Sequence, residues 1–236
     1  MTDIQFGPSF ITYTAIHKIA KTSAAATENS SVKETASAAI SSDGATLSPL
    51  AIQLNDSAAR AESRDNTQSP KSLGALAKNI IDKIAGRTYY SNRQVHDAEV
   101  PDTDDAALLE RARQATQFAN GTGKNPFAGL SQDHLRLIMY DESGSYTINE
   151  RSAAFSENYA QEEVWNRAMA QRYVDEYNET GKSTETLVMI LAHYNELPPI
   201  EKAQYPANFA ANLTSDDSSV MAIFNRLQNR SAGPEA

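Results

Sequence analysis

Apolar side chains recur at helical spacing along most of this chain, and no stretch alternates long enough to build a half-buried strand. In "LSPLAIQLNDSAARAESR", Leu47, Leu50, Leu54, Ala58 and Ala61 share a narrow face, with Ser48 as cap and Pro49 at the first helical position. "SLGALAKNIIDKIAG" puts Leu73, Leu76, Ile80 and Ile84 on one face between a Ser72 cap and a Gly86 stop. "DTDDAALLERARQATQFANG" opens with acids suited to the positive end of a helix dipole and stops at Asn120–Gly121. "LSQDHLRLIMY" starts at Ser131, and a long helix runs from about Ile148 to Thr180, ended by Gly181. "STETLVMILAHYNEL" follows, then a helical turn near Glu201–Tyr205. Finally, "SSVMAIFNRLQNR" gathers Val220, Ile223, Phe224 and Leu227.

The pattern predicts an all-α protein: an irregular helical bundle with one long central helix and a disordered N-terminal tail. Between Tyr13 and Tyr89 there is no aromatic residue, and the Ser-, Ala- and Thr-rich stretch there offers too little apolar area to offset its ordering entropy. Residues 1–45 are therefore expected to be a low-complexity tail, 46–70 an amphipathic helix and linker, 71–213 the helical body, and 214–236 a linker and C-terminal helix. A short isolated helix is marginal in water, so the helix after Ser48 should dock on the body or on a partner.

The long helix aligns Phe155, Tyr159, Trp165, Met169, Tyr173 and Tyr177 in a stripe, read as core. Glu162 and Asn166 interrupt it. A buried glutamate needs a partner or a shifted pKa, so Glu162 is either ion-paired at the core's edge or an acid or base in an unrecognised pocket.

Composition narrows the chemistry. With a formal net charge of -9 and no basic run, the chain lacks a nucleic-acid-binding face. It has no cysteine, which excludes disulfides and thiolate chemistry. No apolar run approaches the roughly 20 residues of a membrane span. "GTGKN" at 121–125 is not a phosphate loop, because Phe118 stands where the first glycine belongs and Asn125 replaces Ser/Thr. His17, His96, His134 and His193 are scattered, and no G-x-S-x-G elbow occurs. "HDAEVPDTDD" reads as a solvated acidic loop feeding a helix N-terminus.

"YDESGSYTINERSAAF" carries the sharpest signal. Asp141, Ser143, Ser145, Thr147 and Asn149 place oxygen at positions 1, 3, 5, 7 and 9 of an EF-hand-like loop between two helices. Tyr146 replaces the glycine at position 6, and Ser152 the bidentate glutamate at position 12. A metal-free reading competes: Asp141, Ser143 and Gly144 are turn formers, and Thr147-x-x-Glu150 is a capping box. The turn is preferred, and calcium is the alternative.

From "HDAEVPDTDD" through "NPFAGLS", "MYDESGSYTINER" and "LPPIEKAQYP", over about residues 72–213, the chain resembles a set of uncharacterised bacterial proteins. These keep a D-x-S-G-x-Y/F-T-x-N-E-R turn after a Leu-rich helix. The resemblance implies no activity, so no functional residue is carried over. "LSPLAIQL" is also similar to short helices in flagellar regulators. The expectation is a non-enzymatic interaction or regulatory protein with a protein partner, neither nucleic acid nor membrane, no cofactor, and a mobile N-terminal arm. It is placed in the bacterial cytoplasm or exported by a specialised secretion system, since residues 4–27 carry no acid and many Ser and Thr.

Overall fold

The computed structural model describes residues 39–40, 46–215 and 218–231. The fold is all-α. The disorder expected for residues 1–45 falls outside the described residues except at Ala39–Ile40 (β1), which pairs antiparallel with Thr46–Leu47 (β2). A two-residue ladder of this kind builds no layer. The helices are α1 (Pro49–Thr67), α2 (Pro70–Ala85), α3 (Arg87–Ser91), α4 (Arg93–Asp97), α5 (Ala106–Ala119) and α6 (Gln132–Met139). They continue with α7 (Ile148–Thr180), α8 (Thr184–Glu196), α9 (Pro199–Lys202), α10 (Phe209–Thr214) and α11 (Ser218–Ser231). Among the described residues no helix is long and apolar enough to cross a membrane.

Local chemistry explains most boundaries. Ser48 Oγ accepts from Ala51 N at 3.2 Å, Asp105 caps α5 through Ala107 N and Leu108 N, and Ser131 caps α6. Gly181, at φ +75°, ends α7 as its N–H reaches Tyr177 O. One cap was misread. Ser69, not Ser72, opens α2 by accepting from Ser72 N, because Pro70 fits the first helical turn where its missing N–H costs nothing.

The apolar pattern predicted one body over 71–213, but the chain divides into two compact units. The first comprises the described residues through Thr67 together with Lys78–Ala160; the second comprises Gln68–Ala77 and everything from Gln161 on. The first is built around Ile80, Ile84, Phe127, Leu135, Ile138 and Met139, all essentially excluded from water. The second has its own core of Met169, Val188, Ile190, Leu191, Phe209, Leu213 and Val220. Ile223 and Phe224 pack against it, so the C-terminal helix belongs to this unit; the side chain of Leu227 is outside the described residues. Gly74 lets α2 approach the 198–206 segment, since a Cβ there would lie 2.7 Å from Ala203 O.

The aromatic stripe of α7 is core only in part. Met169 is buried and Trp165 half-buried, but Tyr177 is 57% exposed. In the helix's first turns the buried positions are Asn149, Glu150, Arg151, Ala153, Ala154 and Asn158, a polar and small-residue face.

Candidate functional site

Helices α6 and α7 flank the loop of the 130–160 segment, where Asp141, Ser143 and Ser145 lie close together but Asn149 is held elsewhere. Thr147 and Glu150 complete the capping box in both directions: Thr147 N donates to Glu150 Oε2 (2.8 Å) and Glu150 N to Thr147 Oγ1 (3.2 Å). The left-handed residue is Gly144 (φ +89°), so Tyr146 needs no strained backbone and buries its ring. The hydroxyls of Ser143 and Ser145 hydrogen-bond each other at 2.8 Å.

Asp141 is buried and fully engaged. Its Oδ1 accepts from Ser143 N (2.7 Å), and its Oδ2 from Ser57 Oγ (2.5 Å) and Arg60 Nη2 (2.6 Å). Burial pushes this carboxyl's pKa up, but the hydrogen bonds from Ser143, Ser57 and Arg60 outweigh it and hold the group below the usual aspartate range. Asn149 turns away altogether. Its Oδ1 accepts from Tyr89 Oη (2.9 Å), and its Nδ2 faces His96 O, Asp97 Oδ1 and Thr116 Oγ1, each at 3.1 Å.

A second layer, not foreseen in the sequence, lies behind the capping box. Arg111 of α5, itself buried, donates from Nε to Glu150 Oε1 at 2.7 Å and from Nη2 to Gln53 Oε1 at 2.7 Å. Its guanidinium also lies 5.6 Å from the ring centre of Phe127 and 5.4 Å from that of Tyr146. Gln53 Nε2 in turn donates to Ser145 O at 3.0 Å. Helix α1 therefore docks on the body through Gln53, Ser57 and Arg60 alongside the buried Leu54, while Ala58 of the expected apolar face is exposed. Arg151 is also buried, and its Nε donates to Met139 O (3.2 Å) at the end of α6, where a cation complements the helix dipole. Burial lowers its pKa from the ordinary arginine value.

The acidic run after His96 is partly structural too. Glu99 accepts from Ile148 N at the start of α7, Asp97 binds Asn149 and Arg93, and Asp105 caps α5. Asp102 and Asp104 are exposed. In "GTGKN", Gly121 (φ +71°) makes the helix stop, Lys124 is exposed, and Asn125 Nδ2 donates to Ala153 O.

Calcium at this loop would have to displace Arg60 and the Ser143 N–H from Asp141. Among the described residues no group of three or more His, Cys, Asp or Glu side chains is placed to hold a metal ion. Asp141→Ala is therefore expected to act as a structural mutation, costing about 2 kcal/mol through the stranded Ser57 hydroxyl and Ser143 N–H. Thermal melting with and without millimolar calcium checks this: the loss should appear in both, and a calcium-dependent rise confined to the wild type would revive the metal reading.

Glu162 lies in the second unit, half-buried, with its Oε2 3.4 Å from His193 Nε2. That nitrogen is shielded from water and makes no hydrogen bond. No family model, curated protein or solved structure matches the chain.

Proposed function

We propose that this chain is a non-enzymatic interaction or regulatory protein, in which the second half of α7 is a docking face and residues 1–45 are an arm that engages the partner. The observation that carries the reading is the water exposure of two large apolar side chains one turn apart on this helix: Val174 at 52% and Tyr177 at 57%. Meanwhile the oxygens of the helix–loop–helix are spent on holding the first unit together. An exposed helix with apolar anchors is the usual groove-filling element of helix recognition. In the exported form of this reading, residues 1–45 also carry the protein out of a bacterial cell.

The test compares the full chain with a Val174→Asp/Tyr177→Asp variant and with a chain lacking residues 1–45, using cross-linked capture from the native cells. The Val174→Asp/Tyr177→Asp variant should melt like the full chain, because both side chains are exposed. This variant and the shortened chain should each lose the captured partner. Full retention of every partner by both would overturn the proposal.

A further inference from the structure

The sequence contains one Asn–Gly pair, Asn120–Gly121, and it closes α5. Gly121 takes the left-handed conformation (φ +71°) that this kind of helix end requires. Its N–H donates to Phe118 O and the Thr122 N–H to Gln117 O, each at 2.9 Å, the two bonds of a Schellman cap. Lacking a side chain, the glycine also leaves its own amide nitrogen sterically open to the neighbouring Asn120 side chain. Both residues are exposed to water. We propose that Asn120 is a deamidation site, held shut by the α5 cap and by Arg93 and released when that helix end opens.

Water is the one other reactant. The Gly121 backbone nitrogen bonds to Cγ of Asn120 and gives its proton to solvent, while the bond from Cγ to Nδ2 breaks and ammonia leaves. Water then adds to the five-membered imide. Opening at the side-chain carbonyl gives aspartate. Opening at the backbone carbonyl gives isoaspartate, whose main chain carries one extra methylene. The net change is amide plus water to acid plus ammonia, with nothing oxidised or reduced.

In the closed cap every participant is tied down. The attacking nitrogen is bound to Phe118 O. At ψ 4° it lies roughly a third of a turn about the Cα–C bond from Cβ, whereas ring closure needs the two eclipsed. Asn120 Nδ2 donates to Thr116 O at 3.0 Å, and its Oδ1 accepts from Arg93 Nη2 at 3.2 Å. Arg93 also donates to Ala119 O and pairs with Asp97, so α4 clips the end of α5. Reaction therefore waits on a local opening that releases these contacts together.

The product does not rebuild the cap. Burial pushes the Asp97 carboxyl up, but hydrogen bonds from Asn149 and Asn120 and the charge of Arg93 outweigh it, so the Asn120 amide serves as a donor in the network that holds Asn149. An acid at position 120 presents oxygen to Asp97 and Thr116 O instead, at the negative end of the helix dipole. The added methylene of isoaspartate also breaks the spacing of the Schellman bonds. Deamidation thus loosens the first unit irreversibly.

Warm incubation of the full chain at neutral pH, followed by peptide-resolved mass spectrometry, tests this. Asn120 should convert roughly 30-fold more slowly in the folded chain than in urea, the factor that two cap hydrogen bonds supply. Folded Arg93→Ala should convert about fivefold faster than the wild type. The deamidated chain, separated by charge, should melt below the fresh one. Equal rates in buffer and urea, no acceleration in Arg93→Ala, or identical melting of the two forms would overturn the proposal. If Arg93→Ala fails to fold, hydrogen exchange of the wild type decides: conversion of Asn120 and exchange of the Thr122 N–H should rise in parallel as temperature is raised, and a conversion rate indifferent to that exchange would refute the gate.

Discussion

Glu150→Ala is expected to remove about 3–5 kcal/mol from the first unit, a large part of the ~5–15 kcal/mol that holds a typical domain together. The side chain is fully buried, and both its oxygens are in use. Its loss strands the Arg111 guanidinium without a counter-charge and the Thr147 N–H without an acceptor. Breaking one side of a buried ion pair costs far more than the pair contributes, because the remaining charge still lacks water. Glu150→Gln should fall between, keeping much of the cap but not the charge. The double variant Arg111→Met/Glu150→Leu should lose less than Glu150→Ala, since it leaves no buried charge unpaired, although the Thr147 N–H still lacks its acceptor. Urea unfolding followed by far-UV circular dichroism measures all three. Tryptophan emission would not serve, because Trp165 lies in the other unit. A loss below about 1 kcal/mol for Glu150→Ala would mean that water or a shifted side chain satisfies Arg111.

Asn149→Ala comes next, at about 3 kcal/mol. The amide is 0% exposed and joins Tyr89, His96, Asp97 and Thr116, so alanine takes a hydrogen-bond partner from each of them in a dry site. Asn149→Asp separates the two readings of the loop. In a calcium site a carboxylate at the ninth position would add a charged ligand and strengthen binding. Here it would face Asp97 across 3.1 Å, so the variant should be less stable than wild type at neutral pH and recover in mild acid as one carboxylate protonates. Melting curves at the two pH values, with and without calcium, decide the matter.

Helical periodicity made the fold class, the long helix and most caps legible, because a 3.6-residue repeat and a capping serine act over a few positions. The five-residue helices α3 and α4 were missed, since one turn shows no period. The docking of α1 was read on the wrong side chains: a stripe of Leu and Ala was visible, whereas the contact runs through Gln53, Ser57 and Arg60, whose partners lie 81–92 positions away. Arg111 gave no local sign of burial for the same reason. The oxygen spacing from Asp141 to Asn149 was real but ambiguous. Alternate residues can face one ion or be shared among different neighbours, and only the placement of α1, α3 and α5 distinguishes these. Glu162 was singled out as an interruption in an apolar stripe, and an imidazole does stand beside it.

The capping network also bears on the order in which the first unit assembles. The Thr147–Glu150 reciprocal pair spans three positions, so the first turn of α7 can nucleate almost without loop-closure entropy. Arg111 reaches Glu150 across 39 positions and Gln53 across 58, contacts that must await a chain already partly collapsed. Refolding should therefore show a nascent helix beginning at Thr147 early, with the guanidinium arriving late as the bolt. Changes at Arg111 should then speed unfolding more than they slow folding.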